Sequence, residues 1–342
     1  MADCYIGIDR RSGSMKDFGQ VIGHSEVIEH LQKGIQENKV SHAYILAGEK
    51  GSGKRLLADI FASTLQCETG SIQPCGTCKS CIQFEGNNHP DIIYVTHEKA
   101  SLGVDDIRQQ VNSDVAIKPY SSARKIYIIP DGEKMTEQAQ NALLKTIEEP
   151  PEYAVFLLLT ENINTFLPTI LSRCVTLQLK PVDAKLIKKY LMEKRQIPDY
   201  LAELSAAFSQ GNVGKAIRYA SSDEFIEMKE DTIHVLTHVD DMKNYEIMQF
   251  IKKMAEKKGE VDDYLDLMLL WYRDVLMFKV TQDTNGLLFA DEISSIRKQA
   301  QSKQYEGIEA IIQAIEKAKV RLKANVNFDT AMELMIFVMK EN

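Results

Sequence analysis

One short segment constrains the fold of this chain more than any other. Residues 48–55 read Gly-Glu-Lys-Gly-Ser-Gly-Lys-Arg, which fits the phosphate-binding pattern G-x-x-x-x-G-K-[ST] except at its last position. The apolar run Ala43–Ala47 precedes the segment, and apolar residues recur at helical spacing from Leu56 to Leu65 after it. A strand, a glycine-rich loop and a helix in this order aim the helix N-terminus at a phosphate. The segment therefore predicts an α/β fold of the phosphate-loop (P-loop) type.

The last position of this loop departs from the pattern in a way that bears on chemistry. A Ser or Thr hydroxyl there would ligate Mg²⁺, but the residue is Arg55, whose guanidinium has five donors and no lone pair to offer. We expect a degenerate loop that does not hydrolyse nucleotide. Whether it holds ATP or ADP without hydrolysis stays open from sequence. The candidate cofactor-binding residues are Gly48, Gly51, Gly53, Lys54 and Arg55.

A second part of the hydrolytic machinery is also altered. P-loop ATPases place an acidic pair at the end of a neighbouring strand, one carboxylate for Mg²⁺ and one for the attacking water. Here the predicted strand Lys125–Ile129 is followed by Pro130 and Asp131. Proline cannot ligate a metal, and Asp131 is more simply a surface turn residue. Two of three Mg²⁺-linked positions are therefore missing.

Four of the six cysteines form a cluster with the spacing C-x₇-C-x₂-C-x₂-C. Two-residue spacings let neighbouring thiolates face one ion, and four thiolates complete a closed tetrahedral zinc site. A disulfide pair and a redox-active C-x-x-C site are the alternatives. We expect a structural zinc without catalysis, because no coordination position is left for water. The predicted ligands are Cys67, Cys75, Cys78 and Cys81.

Strands alternate with helices up to residue 180, which predicts a parallel sheet covered by helices on both faces. Beyond Pro181 almost every segment has helical period and no convincing strand remains, and Ser221–Asp223 is typical of a linker. We predict an α/β domain at 15–180 with the cysteine insert at 67–81, a small helical lid at 181–222 and an all-α domain at 223–342. The predicted strands lie at 43–47, 91–95, 125–129, 154–159 and 175–179. A helix is predicted from Val104 to Val111, and Thr136 suits the N-cap of the next helix. Gly211 and Gly214 are predicted to mark a turn, and the Met-rich and aromatic stripes of the last part are interpreted as core.

Composition excludes some functions. The chain of 342 residues carries a formal net charge of −8, which argues against a nucleic-acid-binding surface over the whole protein. It has no run of 18 apolar residues and no recognisable signal peptide, so we expect a cytoplasmic protein without a membrane segment. Residues 1–14 lack periodicity and precede a second methionine, Met15, and they are interpreted as a leader or tag.

Several short motifs resemble one family, the bacterial clamp-loader branch of the AAA+ proteins. The resemblance covers residues 15 to about 220 with specific motifs and the helical remainder more loosely. Zinc binding by a cysteine insert after the P-loop helix fits the same family. The motifs are, in chain order, Phe18, Val21–His24, Ser41–Ala43, Asn141–Lys145, Glu148–Pro151 and Ser172–Cys174.

The resemblance implies a member of a pentameric ring held together by C-terminal helical collars, here 223–342. The gamma/tau motor subunits would differ at Arg55, at Pro130-Asp131 and in the lid, where Gly214 stands for an arginine although Lys215 is adjacent. The departures resemble the rigid, non-hydrolysing ring member instead. Arg173 would then act as an arginine finger toward ATP on a neighbouring subunit, while Cys174 is interpreted as a buried small apolar residue.

By the same resemblance, the partners would be the gamma/tau and delta subunits, the sliding clamp and, through the complex, primed DNA, within a DNA polymerase holoenzyme. The sequence leaves other interpretations open. The chain could be a working ATPase of the gamma/tau type or a separate DNA-binding zinc protein, and Arg173 could be a structural arginine that pairs with a nearby carboxylate.

Overall fold

A five-stranded parallel sheet in the order β2-β3-β4-β1-β5 organises the first part of the chain. The computed structural model describes residues 17–256, 261–284, 286–324 and 326–342, so the predicted leader at 1–14 lies outside the described residues. Each strand pair runs parallel, with β1 between β4 and β5. The strands are β1 (Ala43–Ala47), β2 (Ile92–Tyr94), β3 (Lys125–Ile129), β4 (Ala154–Thr160) and β5 (Val175–Gln178).

The sequence places all five strands correctly, and their bounds differ from prediction by one residue at most at each end. β1 and β3 have the predicted bounds, and every residue in β1, β3 and β4 is buried. Burial on both faces is expected for a parallel sheet covered on each side, and it explains the continuous apolar runs. The predicted α/β class is confirmed.

Helices cover both faces of this sheet. One face packs alternate strand residues such as Tyr127 and Phe156 against the helix that contains Leu143. The other face packs Leu46 and Leu157 among the residues of the P-loop helix. The helices of this region are α1 (Ser25–Gln36), α2 (Lys54–Gln66), α3 (Lys79–Glu85), α4 (Val104–Ile107), α5 (Glu137–Glu148) and α6 (Pro168–Leu171).

Two local predictions about helices have different outcomes. Thr136 is the N-cap of α5, where its side chain accepts a hydrogen bond from the N–H of Ala139, as a helix start requires. The helix predicted from Val104 to Val111 is interrupted, because α4 is followed by a π-helical turn at Arg108–Asn112. The apolar side chains Ile107 and Val111 remain buried, so the periodicity reports burial even where the hydrogen-bond pattern changes.

The remainder of the described chain is helical, as predicted. Met- and aromatic-rich stripes around Trp271 belong to a buried core, not to a cofactor pocket: Tyr264, Met268 and Trp271 are fully buried. The Trp271 indole N–H donates to Gln299 Oε1 at 2.9 Å. The helices are α7 (Ala184–Arg195), α8 (Asp199–Phe208), α9 (Val213–Ala220), α10 (Asp223–His238), α11 (Asn244–Glu256), α12 (Val261–Thr281), α13 (Ile293–Ser302), α14 (Tyr305–Lys323) and α15 (Phe328–Glu341).

The chain divides into two compact units. One contains the sheet and comprises the residues up to Ile187 together with Gly211–Lys215, and the other comprises Lys188–Gln210 and Ala216–Asn342. Gly211 adopts φ +86°, as its predicted turn requires. Gly214, predicted to mark the same turn, instead lies in the first turn of α9. None of the described helices has both the length and the apolar character needed to cross a bilayer.

Candidate functional site

The P-loop has the backbone conformation that its glycines predict. It leaves β1 at Ala47 and enters α2 at Lys54, with Gly51 at φ +90° and Gly53 at φ +96°. A Cβ on Gly51 would lie 2.6 Å from Oδ1 of Asn212. Both the backbone angle and this close approach therefore require glycine at position 51.

The P-loop lysine is bound to its own loop. The ammonium of Lys54 donates to the carbonyl of Gly48 at 2.6 Å and to that of Glu49 at 2.9 Å. Burial lowers the pKa of Lys54, and the nearby carboxylates of Glu161, Glu133 and Glu49 oppose that shift. These three carboxylates also place negative charge near the P-loop lysine, which disfavours a polyphosphate there in the absence of a cation.

Arg55, at the position of the missing hydroxyl, has its own set of partners. Its Nε lies 2.9 Å from Oδ1 of Asp59, one helical turn along α2. Its guanidinium carbon is 4.0 Å from the centre of the Tyr94 ring, which is cation–π geometry. The Tyr94 hydroxyl donates to the same Asp59 oxygen at 3.0 Å, and burial, followed by the charge of Asp59, raises the pKa of Tyr94. Arg55 therefore ties the P-loop helix to β2.

Asp131, at the altered acidic position, likewise contacts other side chains of the protein. Pro130 follows β3, and Oδ2 of Asp131 lies 3.1 Å from Nε2 of His97 and 3.4 Å from Nζ of Lys134. These contacts agree with the expected surface turn residue. His97 was not expected from sequence, because nothing in its local pattern links it to a residue 34 positions away.

A segment far along the chain closes over the P-loop. Asn212 is 4% exposed, and its side-chain amide donates to the carbonyl of Lys50 at 2.8 Å and to Oε2 of Glu49 at 3.3 Å. The backbone N–H of Gly214 donates to the carbonyl of Gly51 at 2.9 Å. Gly214, which the family resemblance led us to expect in place of a lid arginine, thus approaches the loop backbone. The neighbouring Lys215 ammonium is 3.8 Å from the Glu49 carboxylate.

Arg173 lies at the opposite edge of the sheet from the P-loop. The P-loop follows the carboxyl end of β1, whereas Arg173 stands two residues before the start of β5, and these strands are parallel with Tyr44 opposite Val175. The two sites are separated by the length of β1, roughly 13 Å at about 3.3 Å per residue. Arg173 is thus poorly placed to reach a nucleotide in its own P-loop.

The contacts of Arg173 match one alternative left open by the sequence. Its Nη2 lies 2.8 Å from Oε1 of Glu148, and its Nη1 donates to the carbonyl of Thr169 at 3.2 Å and to Oγ of Ser172 at 3.1 Å. The side chain is still 39% exposed, so pairing with Glu148 does not bury it. The adjacent Cys174 is partly buried against the sheet core, and burial raises the pKa of its thiol to about 12.

The four predicted cysteines converge at the end of the P-loop helix. Their sulfurs all lie within 4.8 Å of one another, and Sγ of Cys75 and Sγ of Cys81 are 3.9 Å apart. A tetrahedral site with zinc–sulfur bonds of about 2.3 Å places its sulfurs roughly 3.8 Å apart. All four are free thiols, so the cluster has the composition and spacing of a site for one metal ion.

Local hydrogen bonds support this cluster. The N–H groups of Cys75, Cys78 and Cys81 point to the sulfurs of the preceding cysteines in the cluster at 3.3–3.4 Å. Backbone and hydroxyl donors from Thr77 and Cys78 lower the pKa of Cys75 to about 6, whereas burial raises that of Cys81. A cation bound by the thiolates of Cys75 and Cys81 would offset the free-energy cost of burying the charged Cys81 thiolate.

A buried polar network joins the cysteine module to the sheet. Ser80, between two of the cysteines, has its Oγ 2.9 Å from Nε2 of His89. The N–H of Asp91 donates to Nδ1 of His89 at 3.2 Å. The Asp91 carboxylate accepts the N–H groups of residues 120–122. Although burial opposes ionisation, these donors lower the pKa of Asp91.

Comparison with known proteins places the chain in a family. A protein-family model described as DNA polymerase III, delta subunit, matches residues 23–183, and one described as the C terminal of that subunit matches residues 224–339. The DNA polymerase III subunit delta' of Bacillus subtilis is 32% identical over 319 residues, which cover 92% of this chain and 95% of that protein.

Other relatives are named as tau/gamma or gamma-related subunits of DNA polymerase III. The DNA polymerase III subunit tau/gamma of Haemophilus influenzae is 31% identical over 275 residues, which cover 73% of this chain but 39% of that protein. A solved gamma subunit-related protein of Thermotoga maritima is 21% identical with a TM-score of 0.43, over 92% of this chain and 98% of that one. The two family models and the nearly full-length match to the Bacillus protein show that this chain belongs to the DNA polymerase III delta-prime subunit family.

Proposed function

We propose that this chain is a non-hydrolysing ring subunit of a bacterial DNA polymerase III clamp loader and supplies Arg173 to ATP bound on a neighbouring gamma/tau subunit. The observation that carries the proposal is the separation of the two sites. The P-loop groups are bound within the protein, whereas Arg173 is partly exposed at the other edge of the sheet. An arginine there suits a neighbour's nucleotide better than its own.

The side chain of Arg173 is chemically suited to assist phosphoryl transfer. A guanidinium stays charged and spreads several donors, so it stabilises charge on a transferred phosphoryl group. The ring would comprise this chain with gamma/tau and delta subunits, and the loader would open a sliding clamp and close it around primed DNA. In that assembly we assign residues 15–180 as the AAA+ domain, 181–222 as the lid and 223–342 as the collar.

The test is reconstitution of the loader with gamma/tau, delta, the clamp and primed DNA. Arg173→Ala should leave assembly intact and lower clamp- and DNA-stimulated ATP turnover roughly tenfold. This is less than the about 10³–10⁵ of an isolated arginine finger, because the variant changes only the ATP site that faces this chain. Lys33→Ala, which removes an exposed positive charge from α1, is the control. Unchanged turnover in Arg173→Ala would contradict the proposal.

The gamma/tau-type ATPase is the competing function, and the isolated chain tests it. We expect no ATP hydrolysis by this chain alone, since the Arg55 and Asp131 side chains are bonded to protein groups. Hydrolysis that Lys54→Ala abolishes would establish the motor function instead. Calorimetry with ADP in the presence of EDTA would separately show whether the loop binds nucleotide without Mg²⁺.

We further propose that Cys67, Cys75, Cys78 and Cys81 hold one structural Zn²⁺. Four thiolates at these distances fit zinc and leave no position for a reacting water. Elemental analysis should find one zinc per chain. Cys81→Ser should lose the metal and lower the free energy of unfolding by several kcal/mol, since metal binding is coupled to folding. Cys174→Ser should retain the zinc, and retention of zinc by Cys81→Ser would refute the ligand set.

A further inference from the structure

The contacts of Arg173 show how its guanidinium is held. Glu148 binds Nη2, while the carbonyl of Thr169 and the hydroxyl of Ser172 accept from Nη1. A guanidinium has five N–H donors, so these contacts leave donors for a phosphoryl oxygen. The side chain is therefore anchored on part of its polar surface while 39% of it stays exposed.

The position of Glu148 is not explained by local helix preferences. It is the last residue of α5, where the negative end of the helix dipole disfavours a carboxylate. The partner that compensates is Arg173, which follows β4 in the chain and lies two residues after the last residue of α6. The pair thus joins two elements that only the tertiary structure brings together.

We propose that Glu148 is the positioning residue of Arg173 for phosphoryl transfer on the neighbouring subunit. The inference rests on the proposed function. Arginine has many rotamers in water, and transition-state stabilisation is lost when a reacting group is displaced by about 1 Å. The carboxylate holds Nη2 of the guanidinium before the neighbour's ATP arrives, so the remaining donors are presented in a fixed direction.

The experiment is steady-state ATP turnover by the reconstituted loader with clamp and primed DNA. Glu148→Ala should lower kcat roughly threefold and leave the KM for ATP unchanged. Glu148→Gln should recover part of the loss because it keeps an acceptor oxygen. Glu149→Ala removes the adjacent exposed carboxylate and is the matched control, with kcat as in the unmodified loader.

The double variant Glu148→Ala/Arg173→Ala separates positioning from general structural damage. If Glu148 acts through Arg173, the double variant should turn over ATP as Arg173→Ala does. A further threefold loss in the double variant, or faster turnover in Glu148→Ala, would overturn the positioning role. Loss in Arg173→Ala with unchanged kcat in Glu148→Ala would overturn it while leaving the proposed function intact. Unchanged turnover in Arg173→Ala would overturn both.

Discussion

Two arginines at opposite edges of the same sheet have different roles because their surroundings differ. Arg55 stacks on Tyr94 and pairs with Asp59, which has a relative exposure of 9%. Arg173 pairs with Glu148, and both of those side chains are about 40% exposed. The first arginine connects a helix to a strand within the fold, while the second keeps donors at the surface. A P-loop fold can thus keep its loop bound by protein contacts at one edge of the sheet and leave a partly exposed arginine at the other.

Among the changes that test this comparison, the largest effect is expected on the free energy of unfolding when Arg55 is replaced. Arg55→Thr restores the motif G-x-x-x-x-G-K-T but removes the cation–π contact and leaves the Asp59 charge with less compensation. We expect a loss of about 2 kcal/mol in the free energy of unfolding, discounted for the partial exposure of Arg55. Denaturant unfolding measures the loss, and an ATPase assay should detect no activity because position 130 remains proline. ATP hydrolysis by this variant would contradict the structural role that we assign to Arg55.

The next largest effect concerns the segment that closes over the P-loop. Asn212→Ala removes the hydrogen bonds to Lys50 and Glu49 from a buried site. We expect about 1–2 kcal/mol lower stability and faster hydrogen exchange at the amides of residues 48–53. Asn164→Ala, at an exposed position in the middle of a short 3₁₀ turn, serves as the control for a generic asparagine replacement. Unchanged exchange at the loop would show that Asn212 does not hold it.

A smaller effect is expected when the planar guanidinium of Arg173 is replaced by the single ammonium group of lysine. Arg173→Lys should assemble normally and lower loader turnover roughly fivefold, equivalent to about 1 kcal/mol. The Lys ammonium keeps the charge but cannot contact Glu148 and a phosphoryl group with separate edges. The matching change Arg55→Lys should affect thermal stability and leave turnover unchanged. Reversal of these two phenotypes would contradict the assigned roles.

The smallest effect is a pH dependence at the P-loop edge. Burial lowers the pKa of His24 despite its contact with the carbonyl of Ser52. The unfolded chain therefore binds a proton at higher pH than the folded one, so stability falls as pH drops below about 6.5 and stops falling below the folded pKa. His24→Asn should flatten this part of the stability profile measured by urea unfolding, whereas replacing the exposed His30 with Gln should not. An unaltered slope in His24→Asn would exclude this histidine as the cause.

Prediction from sequence worked where the signal is local. The apolar run Ala43–Ala47, the N-cap Thr136 and the four clustered cysteines each encode their structure within a few residues. Prediction is less accurate at the end of α4, where a π-helical turn replaces the last part of the predicted helix. Apolar spacing reports which side of a segment is buried, and a small change in helical hydrogen bonding preserves that side.

The P-loop fold and the loss of two Mg²⁺-linked residues are predictable from local sequence, because the motif, its flanking strand and helix, and the replacements Arg55 and Pro130 are contiguous patterns. What these positions contact instead depends on the folded structure. Tyr94 meets Arg55, His97 meets Asp131, Asn212 meets the loop and Glu148 meets Arg173. These partners come from separate strands and helices, and parallel strands joined by helices bring together residues that share no local pattern.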